Sequence, residues 1–114
     1  MHEISLVQGL FNQLHDLAAE NGAAKVTKVT MEIGLLSGVV VDSFQFGFDV
    51  LSAQDAMLKG ADLVLIVPPV TYRCTECSNT LITDIKPDGC PRCGELLLIP
   101  EGGDDLVLRQ VEME

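Results

Sequence analysis

Tryptophan is absent from this chain, tyrosine occurs once, and no apolar run approaches the roughly 20 residues that a bilayer-spanning helix needs. A membrane partner is therefore not expected, and an apolar content of 47% suits a compact aliphatic domain rather than a disordered tail. Basic residues are also scarce: seven Lys and Arg stand against seventeen Asp and Glu, for a formal charge of −10. They are scattered singly, so the clustered cations that neutralise a phosphate backbone are missing and nucleic acid is not expected as a partner. Such a surface suits metal ions or a basic protein face better. Histidine occurs only at His2 and His15, and neither a Ser/His/Asp or Cys/His nucleophile pair nor a phosphate-binding glycine loop can be found. An enzyme is not expected. The opening Met1-His2-Glu3 puts no basic segment ahead of an apolar stretch, which reads as a cytoplasmic protein.

Cysteine is confined to four residues in two matched pairs, Cys74-Thr75-Glu76-Cys77 and, after twelve intervening residues, Cys90-Pro91-Arg92-Cys93. Two tight turns that each aim two sulfurs at one point complete a tetrahedral metal site. Zinc is the default ion because it accepts four thiolates without redox chemistry, although iron of the rubredoxin type uses the same ligands. The competing reading is a pair of disulfides or redox-active dithiols, against which the knuckle form of both pairs argues. With four protein ligands the site has no open position, so its role is structural. The roughly 30 residues around it are too polar to bury much themselves, and metal ligation substitutes for a core there. Four thiolates and one divalent ion would bring the net charge to about −12.

Elsewhere the hydrophobic period gives the elements. Ile4, Val7, Leu10, Phe11, Leu14, Leu17 and Ala18 recur at three- and four-residue steps, which predicts an amphipathic helix stopped at Asn21-Gly22. From Lys25 to Ile33 the period becomes two, with Val29, Met31 and Ile33 on one face of a strand. After a turn at Gly34–Gly38, Asp42 or Ser43 is placed to cap a second helix carrying Phe44, Phe48 and Leu51 on one face, slightly weakened by Gly47. Ala61–Val67, closed by Pro68-Pro69, reads as a second strand, and Leu106–Met113 as a third that returns to the same sheet. Leu81, Ile82 and Ile85 suit a short hairpin inside the cysteine segment. The expected fold class is α+β, a small three-stranded sheet against two helices with an inserted zinc-ribbon unit of rubredoxin-knuckle form. The boundaries are residues 1–69 plus 100–114 for the main body and 70–99 for the zinc unit.

The N-terminal residues carry a second metal signal. The α-amine of Met1, the backbone nitrogens and the His2 imidazole can reach one ion together, and Ni²⁺ or Cu²⁺ favours such planar nitrogen donors strongly enough to displace amide protons. Zinc gains less from that plane. Glu3 adds a carboxylate that can orient the imidazole or offset charge. The alternative is a plain exposed histidine at a fraying end. His15, on the polar side of the first helix with no Cys or His at helical spacing, is expected to face solvent.

Met1-His2-Glu3 opening a helix, Met31-Glu32-Ile33-Gly34 followed by Leu36-Ser37 and Val39, Ser43-Phe44-Gln45-Phe46, and the Cys-x-x-Cys and Cys-Pro-x-Cys pairs together resemble the HypA/HybF family of hydrogenase nickel-incorporation proteins, nearly end to end. The resemblance implies a nickel metallochaperone that delivers Ni²⁺ to a [NiFe]-hydrogenase large-subunit precursor, working with an accessory maturation GTPase of the HypB type, and it leaves room for a homodimer. It implies nickel at His2 with the Met1 amine and the backbone nitrogens of His2 and Glu3, and structural zinc at Cys74, Cys77, Cys90 and Cys93. Two other readings compete. A rubredoxin-like electron carrier would be red rather than colourless, and a zinc-ribbon adaptor would bind its protein partner regardless of His2.

Overall fold

In the computed structural model, which describes residues 2–114 with side chains from Glu3 onward, the first helix, α1, runs His2–Glu20. Its stripe of Val7, Leu10, Phe11, Leu14 and Ala18 is buried. Gly22 ends it with a left-handed φ of 63°, so that the Ala23 N–H reaches the Ala18 carbonyl (2.9 Å) and the Gly22 N–H the Ala19 carbonyl (3.3 Å). These paired bonds satisfy carbonyls that every helix end leaves open.

Strand β1 follows at Val26–Ile33 and buries Val26, Val29, Met31 and Ile33. Strict alternation would put Val26 and Val29 on opposite faces; a register shift between Val26 and Lys28 supplies the extra residue that lets both point inward. Helix α2 spans Val41–Ser52. Neither Asp42 nor Ser43 caps it, contrary to the sequence expectation: the cap is Val40, in extended conformation, with no side-chain cap bond of its own. Instead Glu3 Oε2, from the start of α1, accepts the Val40 N–H at 3.4 Å, the role a first-turn glutamate plays in a capping box. Asp42 lies exposed in the first turn, where a negative charge favours the helix dipole.

Gly47 has a packing reason that its helix propensity hides. A Cβ there would stand 3.0 Å from Ile4 Cδ1 and 3.4 Å from Val7 Cγ2, so the missing side chain is what lets α1 and α2 approach. Phe44 and Phe48 are fully buried, Phe48 meeting Phe11 edge-on at 5.5 Å between ring centres. Leu51 is half-buried, and Leu58, in the turn beyond the helix, completes the core.

The remaining strands are β2 (Asp62–Ile66), β3 (Val70–Cys74), β4 (Thr80–Thr83), β5 (Leu98–Glu101) and β6 (Leu106–Met113). They form two sheets, β2-β1-β6 and β4-β3-β5. In the first, β2 is parallel to β1 and β6 antiparallel to it, with the two helices on the face that carries Val29, Met31, Leu63 and Leu65. The fold is thus α+β, as expected. In the second sheet, Leu81 and Ile82 do not make a hairpin of their own but pair with Tyr72 and Thr71 of β3. Ile85 lies beyond β4 and is exposed. On the opposite side of β3, Pro100 and Glu101 pair with Tyr72 and Thr71, so the small sheet takes in residues 70–101.

Two short crossings, 67–69 and 102–105, join the sheets. The chain is accordingly elongated, 55 × 27 × 17 Å with a radius of gyration of 17.7 Å, against about 13 Å for one compact domain of this length. At the crossing, the Gly34 N–H bonds to the Asp105 carbonyl (2.7 Å) and the Leu36 N–H to the Gly103 carbonyl (2.6 Å). A Cβ on Gly34 would collide with the backbone carbonyl of Gly103, which has no flexible end to move aside. Gly34→Ala is expected to cost about 1–3 kcal/mol, the range of overpacked sites, seen as a lower urea midpoint. An unchanged midpoint would show that the crossing yields freely.

Candidate metal centre

Each cysteine pair sits on one tight turn closed by a backbone bond: the Cys74 N–H to the Asn79 carbonyl (2.8 Å) and the Cys90 N–H to the Glu95 carbonyl (2.8 Å). The residue after each pair is left-handed, Gly94 with φ 81° and Ser78 with φ 60°. Glycine takes that conformation freely, whereas Ser78 is the only non-glycine with positive φ among the described residues, and it holds the first turn to the shape of the second.

The turns bring the four sulfurs within 4.8 Å of one another, with Cys74 and Cys93 Sγ 3.5 Å apart and Cys77 and Cys90 Sγ 3.6 Å apart. A tetrahedron with metal–sulfur bonds of about 2.3 Å has sulfur–sulfur edges of about 3.8 Å, so the cluster fits a single ion. The sulfurs are too far apart for disulfide bonds, and all four cysteines are free. Cys74 and Cys90 are buried, and Cys93 lies at the surface.

The electrostatics of the bare cluster show what it needs. Backbone N–H groups of Cys93 and Arg92 point at Cys90 and hold its thiol down to about 6. The Glu95 N–H likewise favours the Cys93 thiolate, but sharing protons with the Cys74, Cys77 and Cys90 thiols outweighs it and pushes Cys93 up to about 12. The two thiols of the second pair are thus driven apart, Cys90 toward the thiolate and Cys93 toward the thiol. A divalent ion held by the four sulfurs would offset their charge and favour thiolates at all four.

Of the N-terminal residues expected to hold a second ion, Met1 and the His2 side chain lie outside the described residues. The backbone of His2 opens α1, and the Glu3 carboxylate is engaged with Val40. His15 does not simply face solvent: its Nε2 lies 2.7 Å from Asp55 Oδ2, a contact across forty residues that ties α1 to the turn after α2. Asp55 is half-buried, and burial opposes its charge. The bond with His15 and the N–H groups of Met57 and Leu58 on Oδ1 outweigh burial and hold its pKa below the usual carboxylate value. Nothing local in the sequence marks this pair, since its partners belong to different elements.

A family model described as "Hydrogenase/urease nickel incorporation, metallochaperone, hypA" matches residues 1–113. The hydrogenase maturation factor HypA of Rhodobacter capsulatus is 36% identical over 113 residues, 99% of either chain. That of Caldanaerobacter subterraneus subsp. tengcongensis is 36% identical over 115 residues, covering both chains completely. Among solved structures, the Ni metallochaperone HypA from Helicobacter pylori superposes with a TM-score of 0.66 at 26% identity, over 97% of this chain and 96% of that one. End-to-end coverage, a shared fold and the four-thiol cluster agree: the chain belongs to the HypA family of hydrogenase and urease nickel-incorporation metallochaperones.

Proposed function

We propose that this chain binds Ni²⁺ at its N-terminus, carries it to a [NiFe]-hydrogenase large-subunit precursor together with an accessory maturation GTPase of the HypB type, and keeps a structural Zn²⁺ at Cys74, Cys77, Cys90 and Cys93. It acts as a cytoplasmic carrier rather than an enzyme. Its nickel-binding body is formed by residues 1–69 and 102–114 and its zinc unit by residues 70–101, two residues longer than the sequence suggests because β5 runs Leu98–Glu101.

The observation that carries the nickel site is that α1 starts at His2. The first four N–H groups of a helix have no partner within it, so coordination by the backbone nitrogens of His2 and Glu3 sacrifices no helix hydrogen bond. Deprotonated amides at that end also place negative charge where the helix dipole favours it. With the Met1 amine and the His2 imidazole they make four nitrogen donors, a set that suits nickel and is poorly suited to zinc. Glu3, whose carboxylate meets the N-terminus of α2, steadies the first turn on which those nitrogens sit. The four thiolates, by contrast, close their ion on every side and favour retention over transfer.

Nickel loading followed by dialysis and elemental analysis tests the division of labour. The chain with a free Met1 amine is expected to hold nickel in addition to its zinc, and a version with residues added ahead of Met1 to hold zinc alone. Uptake no greater than the thiolates account for would leave the carrier role without a chemical basis.

A further inference from the structure

The two helices are wider than the sheet they cover. Packed helices lie about 8–10 Å apart and are each about 10–12 Å across, whereas three strands at about 4.8 Å spacing occupy only some 15 Å. One strand's width is left over, and it appears beside β6. Two clefts of about 370 and 390 Å³ run in succession between α1 and this strand. Leu6, Leu10, Gln13, Leu17 and Asn21, at helical spacing, form the roof. The wall is formed by consecutive β6 residues, Leu106 through Leu108 in one cleft and Leu108 through Val111 with Met113 in the other. A wall of consecutive residues is the edge of a strand, not one of its faces.

That edge is open. β6 pairs only with β1, and its eight residues contain no proline. The opposite edge, β2, is five residues long and is followed, after Val67, by Pro68-Pro69. Long, proline-free edges are what other strands add to, and proteins usually blunt them. Arg109, the one cation in the wall, is drawn to Glu32 at 3.5 Å. Exposed Asp16 and Glu20 lie on the helix beside the roof, and exposed Asp104 and Asp105 stand at the end where β6 begins.

We propose that the free edge of β6, roofed by α1, is a docking slot for an extended segment of a different protein. That segment adds a fourth strand, placing alternate apolar side chains under α1 and Lys or Arg against the acidic rim. A second copy of this chain is disfavoured as occupant because it brings another −10 of charge. The slot does not involve the N-terminal nitrogens or the thiols, so it stands or falls separately from the nickel reading.

The test uses the full zinc-loaded chain, ¹⁵N-labelled, and a capped ten-residue peptide alternating valine with lysine and threonine. Amide shifts confined to β6 and the α1 roof, slowed hydrogen exchange along β6, and an affinity that falls with added salt are the expected result. A peptide with glutamate for lysine should bind at least about tenfold more weakly, as should the Leu17→Arg variant. Because Leu17 is half-buried, the exposed Gln13→Arg serves if Leu17→Arg loses native circular dichroism. Shifts elsewhere, no shifts at all, or equal affinity for the glutamate peptide would overturn the proposal. So would self-association of the chain alone through β6 in sedimentation, which would make a second copy the occupant.

Discussion

Cys77→Ser, or removal of the metal by a chelator, is expected to dissolve the β4-β3-β5 sheet while α1, α2 and the β2-β1-β6 sheet survive. Within residues 70–101 only Val70, Tyr72, Cys74 and Cys90 are buried, and two of these belong to the four-cysteine cluster. Fully burying an apolar side chain is worth about 1.5–3 kcal/mol, far less than is needed to offset the ordering of some 30 residues of backbone. The proposed structural zinc would contribute about 10–16 kcal/mol at neutral pH and make up the difference. The thiol chemistry points the same way, since the neighbouring thiols push Cys93 up and so disfavour its thiolate. Hydrogen exchange of the metal-free chain measures the effect. The amides of β3, β4 and β5 should lose protection, and those of β1 and the two helices should keep it. A small sheet that stays protected without metal would mean that its few apolar contacts suffice.

The second large effect concerns the other end of the sequence. His2→Ala is expected to abolish specific nickel binding and leave zinc content and fold unchanged. Loss of a direct ligand should exceed the 10–100-fold that outer-sphere changes typically cause. No structural cost is expected at the first residue of a helix, where alanine is a good helix former. Elemental analysis and equilibrium dialysis of the variant beside the parent decide the matter, and equal nickel affinity in both would remove the site. Proton competition gives the same site another signature. Imidazole and amine bind metal only when unprotonated, so affinity should weaken as pH falls below the ordinary range of these groups, about 6.5 for imidazole and near 8 for the amine.

How far the sequence could be read depended on the range of the interaction involved. The α1 stripe, the Gly22 stop and the β1 alternation are set by residues two to four apart, and each appears where its period put it. The cysteine cluster was legible for a related reason: each pair is a local turn, and two such turns have one economical way to share an ion. The α2 cap was misread. Asp42 and Ser43 are good capping residues by type, but the N–H at the cap is reached by Glu3 from another helix. Gly47 looked like a weak point in a helix and is instead the place where Ile4 and Val7 come close.

Sequence alone thus left the three strands of the second sheet undetermined but determined the kinds and order of the elements of the main body, the four-cysteine cluster and the family resemblance. Each of these rests on residues near one another in the chain or on a motif with a fixed spacing. Only the tertiary structure decided that β6 joins the free side of β1, that His15 meets Asp55, that Gly34 lies against Gly103, and that α1 overhangs an open edge. Such contacts depend on how chain closure brings distant segments together. No local period encodes that closure, because many partners are compatible with the same pattern of apolar and polar residues.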